Sequence, residues 1–538
     1  MPRTLLVSLA SLVIASAASG ATIRGSSRPD RLTGGPSADI LYGYGGKDQI
    51  DGRGNNDLLN GGTGHDVLSG GPGNDRLAAA DGTKDLVRCG PGHDIVTADS
   101  EDVLSNCEVV TRRLSHDPDR RAGAQHQTEV EPDSFAHGKT IVAAFQVGRY
   151  AGSGAANIGY ATSRNGGATW RNGLLPRLSI YSFPAGTLDR VSDPVVAYDR
   201  IHRTWLIGAV GLAGDATVLT VSRSRDGVNW SAPITAAHPF EGDYDKEWLT
   251  CDNWAASRFR GRCYLSYMDF ASQGVMTRRS VDGGRTWSAP AGWQLLPSEK
   301  DIANGVQPVV RPNGTLVIPF AIFEGSSSDQ NEMAAIRSLD GGATFLPALP
   351  IATLEAVDVS GLRVPPLPSV AIDASGTIYL AWTDCRYAVE CETNGIVVST
   401  SRDGVTWSTP ARVPTGGRGS NVNHFLPGLA AAGSGEHARL ALAYYSAPRP
   451  TGCNYTCEAL IDAWLSVSED GGRTWGAPQR LNTELVHSSW LAETGIGRML
   501  GDYISTSWVG DTPIPVFPLA SAPVSGSLRE EIFATTLH

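Results

Sequence analysis

The chain has 538 residues, enough for at least two domains. Its 44 lysines and arginines against 55 aspartates and glutamates leave a formal net charge of −11, which argues against nucleic acid as a partner. Beyond the amino terminus no stretch is long and apolar enough to span a bilayer. Residues 1–21 read as a secretory signal. Arg3 supplies the charge, Leu5 to Ala15 the apolar run, and Ala17-Ala18-Ser19-Gly20-Ala21 the small-residue cleavage region. The mature chain is therefore expected to be secreted and extracellular.

Residues 22–110 carry a nine-residue period. Asp30, Asp39, Asp48, Asp57, Asp66 and Asp75 follow one another at that interval, each with Leu or Ile two positions later. After Asp75 the register slips by one and continues as Asp85 with Val87 and Asp94 with Val96. The motif, as in Gly70-Gly71-Pro72-Gly73-Asn74-Asp75, resembles the nonapeptide of the RTX (hemolysin-type) calcium-binding repeat. Two nonapeptides make one coil of a parallel β-roll. Asp30, Asp48 and Asp66 then share one edge, and Asp39, Asp57 and Asp75 the other. Coils ~4.8 Å apart let a hard cation sit between turns and take carboxylate and carbonyl oxygens. All eight aspartates are expected calcium ligands. The Leu or Ile of each repeat is expected to point inward and form a thin core, and without the cation the stacked carboxylates would repel one another.

Cys89 and Cys107 are 18 residues apart, one full coil, which places them for a disulfide. The remaining cysteines fall in close pairs, Cys251 with Cys263, Cys385 with Cys391, and Cys453 with Cys457, as suits an oxidising compartment. Residues 111–128 are polar and arginine-rich, with Arg112-Arg113 and Arg120-Arg121, and read as a linker.

From residue 129 to 538 a different repeat takes over. Ser280 to Trp287 reads S-x-D-G-G-x-T-W. Fuller copies start at Ser163, Ser338 and Ser468, and shortened ones at Ser224 and Ser401. The six starting serines are 61, 56, 58, 63 and 67 residues apart. Asp or Asn followed by Gly supplies a hairpin turn, and the tryptophan anchors the return strand. The motif resembles the Asp box (BNR repeat) of sialidase-like β-propellers. Alternating apolar residues between the boxes predict strands in triplets, Pro194 to Tyr198, Thr204 to Val210 and Thr217 to Ser222 being one set. The expectation is an all-β chain, a β-roll followed by a β-propeller of seven blades, with six as the alternative.

Polar residues at the entries of the innermost strands mark an expected ligand mouth: Glu131, Asp133, Asp193, Asp245, Glu247, Gln307, His424 and Asp502. Asp245 and Glu247, two apart on one strand, are expected on one face, with Lys246 turned away between them. The sialidase resemblance implies a tyrosine nucleophile, for which Tyr503 stands available with Glu247 as helper. Asp245 and Asp193 are acidic candidates, and Arg386 and Arg498 could form part of an arginine clamp. The F-R-I-P motif that carries the family's first arginine is absent, the matching strand reading Ser134-Phe135-Ala136-His137. Three functions stay open: a secreted calcium-binding protein that recognises a glycan or surface ligand, a glycoside hydrolase resembling an exo-α-sialidase, and a structural adhesin.

Overall fold

The computed structural model describes residues 20–119, 123–294, 302–323, 331–416, 420–449 and 458–538. The body of the expected signal segment, the Arg120-Arg121 pair and the Cys453–Cys457 pair lie outside the described residues. The chain divides into two compact units, one ending at Arg112 with His538 added, the other Arg113–Leu537. Among the described residues no helix is long and apolar enough to cross a membrane.

The first unit is a parallel β-solenoid of about 5 turns. Strands Ile40–Tyr42, Leu58–Asn60 and Arg76–Ala78 stack in one sheet, and Arg31–Thr33, Gln49–Asp51 and Val67–Ser69 in the other. In both sheets each residue faces the one 18 positions on, as in Ile40 with Leu58 and Gln49 with Val67. Leu32, Leu41, Ile50, Leu59, Leu68, Leu77, Val87 and Val96 fill the narrow interior and are buried. Glycine is required where one coil's turn lies on the next. Gly62 has φ +87°, and a Cβ there would meet the Tyr44 backbone.

The register slip is absorbed in a turn. Val67 faces Leu86 and Arg76 faces Ile95, one residue further on than in the earlier coils. The carboxylate of Asp81 holds the enlarged turn, accepting the N–H of Thr83 at 2.7 Å and of Gly64 at 2.8 Å. Cys89 and Cys107 are disulfide-bonded with Cα atoms 5.2 Å apart, closing the last coils.

The second unit is built of antiparallel strands. The expected β-propeller, with seven blades or six, is not the organisation found: the all-β chain is a solenoid with many further sheets. Strand Gln125–His137 pairs with Thr140–Arg149 and, in parallel, with Glu530–Leu537 through Thr128 and Glu530. Ala155–Ser163 in turn bridges to Arg190–Asp199 at Ala155 and Val191. The first two strand groups and the last one are thus one continuous sheet. Among the described residues four separate sheets of four or five strands follow, opening at Tyr244, Ile302, Ser369 and Val422, with one small hairpin, Ala492–Thr494 with Gly497–Met499. Alternation and turn residues mark where strands lie but carry no record of which edges pair, so counting triplets overstates how far the groups are separate.

The serine-led turns with aspartate and two glycines share one pattern of hydrogen bonds. Ser280 Oγ donates to Asp282 Oδ1 at 2.8 Å and accepts the Gly284 N–H at 2.9 Å. Asp282 Oδ1 accepts the amides of Arg285 and Thr286, and Oδ2 the Thr286 hydroxyl at 2.6 Å. These bonds hold the Asp282 carboxyl down at about 2 despite partial burial. The same pattern recurs at Asp340 and Asp470. Disulfides Cys251–Cys263 and Cys385–Cys391 tie neighbouring segments of this unit.

Candidate functional site

In the first unit the aspartates form two ladders. Along one edge the N–H of Asp30 donates to Asp48 Oδ1 at 2.8 Å, Asp48 to Asp66 at 2.8 Å and Asp66 to Asp85 at 2.7 Å. Along the other, Asp39 donates to Asp57 at 2.7 Å, Asp57 to Asp75 at 2.8 Å and Asp75 to Asp94 at 2.8 Å. One oxygen of each ladder carboxylate from Asp39 to Asp94 thus stitches coils together. The second oxygen of Asp48, Asp57, Asp66, Asp75, Asp85 and Asp94 is buried without a hydrogen-bond partner. Asp30 and Asp39 differ, since their second oxygens accept the amides of Ser26 and Gly35.

The unpartnered oxygens face glycine carbonyls of the next coil. A Cβ on Gly52 would lie 2.5 Å from Asp57 Oδ2 and 2.8 Å from the Gly70 carbonyl oxygen. Carboxylate and carbonyl oxygens without donors are what a hard cation takes as ligands. Among the described residues no three His, Cys, Asp or Glu side chains converge on one point, so carbonyls must supply much of any coordination shell. Burial, and then the neighbouring carboxylates, push Asp57 up to about 7, Asp66 and Asp75 to about 6 and Asp85 to about 8. Such carboxyls take protons unless a cation replaces them.

In the second unit a buried charge cluster gathers residues from several strands. Lys246 Nζ lies 2.6 Å from Asp193 Oδ1, 2.8 Å from Asp502 Oδ2 and 3.5 Å from Glu131 Oε1. Arg363 forks onto Asp502, its Nε donating to Oδ1 at 3.0 Å and its Nη2 to Oδ2. Gln146 donates to Glu131 and, at 3.2 Å, to Ser192 Oγ. Arg149 is buried beside them, with Glu131, Asp193 and Asp502 as its charge neighbours. Tyr503 donates its hydroxyl to the Pro194 carbonyl at 3.1 Å. Its ring stands edge-on to Trp248 at 5.2 Å, with Lys246 Nζ 6.0 Å from its centre.

The backbone explains this convergence. Glu131, Asp193 and Lys246 have φ of 53°, 49° and 49°, and each sits at a bulge where strand pairing shifts register. Pro132 and Pro194 follow the first two, and proline cannot donate to a ladder. Left-handed backbone at non-glycine residues costs about 1–3 kcal/mol each and collects where function or a dense network holds it in place. The bulge also breaks alternation. Lys246, expected to turn away between Asp245 and Glu247, is instead at the centre of the cluster.

Glu247 is fully buried, and neither carboxylate oxygen has a hydrogen-bond partner. Burial, with Asp193 and Asp245 nearby, holds its carboxyl protonated well above the usual range. Asp245, half-buried, is raised to about 6 by burial against the opposing pull of Lys246. Asp502 goes the other way: Lys246 and Arg363 hold it ionised in spite of its burial.

Other expected site residues lie elsewhere or do other work. Asp133 Oδ2 accepts the Val196 N–H at 2.7 Å and Gln307 Oε1 the Val370 N–H at 2.8 Å, so both tie neighbouring strands. His424 packs edge-on against Tyr444 at 5.8 Å, where burial lowers it to about 4. Arg386 is engaged by Asp384 at 2.7 Å and Arg498 by Glu493 at 2.6 Å. The cations at the cluster are instead Lys246, Arg149 and Arg363, which no sequence motif marks.

Against known proteins, the family model described as the RTX calcium-binding nonapeptide repeat (4 copies) matches residues 24–59 and 51–83. These repeats bind calcium. No curated protein matches. Among solved structures, a protein of unknown function from Dyadobacter fermentans is 18% identical, with 67% of this chain and 99% of that one covered at a TM-score of 0.42. A Hadza microbial sialidase is 16% identical, with 77% and 66% covered at a TM-score of 0.41. A PL25 ulvan lyase is 13% identical, with 77% and 95% covered at a TM-score of 0.44. With TM-scores so low, these likenesses carry neither fold nor activity to this chain. RTX repeats and disulfides are typical of extracellular proteins.

Proposed function

We propose that this is a secreted calcium-binding protein that recognises a glycan or surface ligand through its second unit. In this reading residues 1–21 are a removed signal, 22–110 the calcium-binding roll, 111–128 the linker, and 129–538 the recognition region, its serine-led turns being Asp boxes. The eight repeat aspartates, Asp30 to Asp94, hold calcium with glycine carbonyls of adjacent coils. Recognition centres on Glu131, Asp193, Asp245, Lys246, Glu247, Asp502 and Tyr503. The observation that carries it is Glu247, a buried carboxyl with no partner of its own beside a strained cluster drawn from four strands. A neutral carboxylic acid there offers a proton to a ligand oxygen, and an unpartnered polar group is costly enough to need a reason.

A second reading, hydrolysis of a glycoside, is favoured by the nearness of Tyr503 to the same carboxyl, close enough for the two groups to interact. Tyr503 would be the nucleophile, its proton passing to Glu247 in the ionised form of that carboxyl, which burial disfavours. The test uses the mature, calcium-loaded protein and its Glu247→Gln and Tyr503→Phe variants, on a glycan panel and on fluorogenic sialosides and other glycosides. Binding lost in Glu247→Gln without turnover supports recognition, and turnover lost in both variants supports hydrolysis. Binding and turnover both indifferent to the two changes would remove this cluster from function.

A further inference from the structure

A cavity of about 510 Å³ opens among the leading strands of the sheets of the second unit, further along them than the charge cluster. Its size falls within the range of small-ligand sites. Half-buried rings of Phe135, Tyr198, Trp248, Trp254 and Trp508 line it. Its carboxylates are already committed. Asp133 accepts the Val196 amide, and Asp373 Oδ1 accepts the amides of Ser375 at 2.8 Å and Thr377 at 2.9 Å. The other charged lining residue, Arg200, is exposed.

What remains inside is neutral and polar. Ser134 Oγ is within 2.9 Å of Ser505 Oγ and 3.1 Å of Ser507 Oγ, and the latter two hydroxyls also reach the Ser134 carbonyl at 3.3 Å. With their hydrogens spent on one another and on that carbonyl, these oxygens keep lone pairs to accept with. Gln307 uses its oxygen on Val370, which leaves its amide N–H groups as donors. A purely apolar ligand would strand these groups, and an ion would find no opposite charge inside. A ring with apolar faces and a hydroxylated edge satisfies both sets: its faces lie on the aromatics and its hydroxyls meet Ser505, Ser507 and Gln307.

We propose that this cavity is a second binding site, for a neutral saccharide of one or two rings, separate from the charge cluster and independent of the function assigned to it. The decisive residue is Thr250, a half-buried lining residue two positions beyond Trp248 on the same strand. Thr250→Phe fills the space without removing a group that ties strands together.

The full-length, calcium-loaded protein is titrated calorimetrically with lactose and with 3′-sialyllactose, which adds an anionic sugar to the same core. Lactose should bind saturably and lower acrylamide quenching of tryptophan fluorescence. Thr250→Phe should weaken it about tenfold or more, with the melting temperature checking the fold. Should that variant fold poorly, Trp508→Leu, which removes one aromatic face, must weaken lactose binding as well. The proposal is overturned if neither sugar binds, if quenching is unchanged by lactose, or if binding survives both variants. Binding of 3′-sialyllactose alone, indifferent to Thr250→Phe, also overturns it while leaving the charge cluster as a recognition site.

Discussion

Removing calcium should destabilise the roll in a way that depends on pH. Asp57, Asp66, Asp75 and Asp85 stand at about 7, 6, 6 and 8 in the folded roll, against 3.8 for an ordinary aspartate. Between those values the metal-free folded roll keeps protons that the unfolded chain has released. Folding is therefore favoured by protons, and stability falls as pH rises from about 4 to about 8. Carried whole into stability, the shift at Asp66 or Asp75 would be about 3 kcal/mol. Water and counter-ions near these edges reduce that to roughly 1 kcal/mol each. Four such groups amount to about 4 kcal/mol, a large part of the 5–15 kcal/mol that holds a typical domain. Calcium reverses the loss, since each ion at a hundred times its dissociation constant adds about 2.7 kcal/mol.

The assay is hydrogen exchange with mass spectrometry on the full-length protein, stripped of calcium and kept metal-free, at pH 5 and pH 8 after correction for intrinsic rates. Peptides from residues 25–107 should be protected at pH 5, exposed at pH 8, and protected again at pH 8 once calcium is added. Peptides from the second unit serve as the internal control. Equal protection at pH 8 with and without calcium would refute the reasoning, as would metal-free protection that rises with pH.

Three further outcomes are expected. Lys246→Met leaves Asp193, Asp502 and Glu131 buried without their shared cation, so the second unit should lose about 3–5 kcal/mol in chemical denaturation. Replacing Cys89 and Cys107 together by Ala opens a loop of 18 residues and should cost about 3 kcal/mol, read from the calcium-loaded roll by hydrogen exchange. Leu68→Ala empties a fully buried position between coils and should cost about 2–5 kcal/mol in the same measurement, with calcium affinity falling alongside.

The roll was legible because each of its features repeats at the coil length. The nine-residue period put Leu41, Leu59 and Leu77 in one line and Asp48 and Asp66 on one edge, and even the slip after Asp75 could be read as an extra turn residue. The second unit was legible only strand by strand. The residues that join its first groups, Ala155 with Val191 and Thr128 with Glu530, look like any other strand residues, and edge pairing leaves no periodic mark. The cluster lay between these cases. Glu131, Asp193 and Asp502 stand out as polar strand entries, but alternation puts Lys246 on the wrong side because a bulge interrupts it. A signal was present: Glu131-Pro132, Asp193-Pro194 and Leu426-Pro427 all set a positive-φ residue before a proline at a register shift. That recurrence marks bulges.

The arginines argue about the ligand itself. A clamp for a carboxylate needs guanidinium groups that are free to fork onto it. Arg386 and Arg498, the candidates by resemblance, are each taken by a carboxylate of their own neighbourhood, Asp384 and Glu493. Arg363, which does reach the cluster, forks onto Asp502, and Lys246 divides its charge between Asp502 and Asp193. An incoming carboxylate would have to displace Asp502 from Lys246 and Arg363, meeting Asp193 and Glu131 as it did so, while Arg149, the third cation there, is turned onto the Gly154 carbonyl and Met499 Sδ. A ligand hydroxyl faces no such competition, because the protonated Glu247 carboxyl and the Gln146 Oε1 carbonyl both have bonding capacity unspent. Of the two kinds of sugar recognition that could be proposed for this cluster, its geometry favours contact with hydroxyl groups over capture of an acidic sugar by its carboxylate.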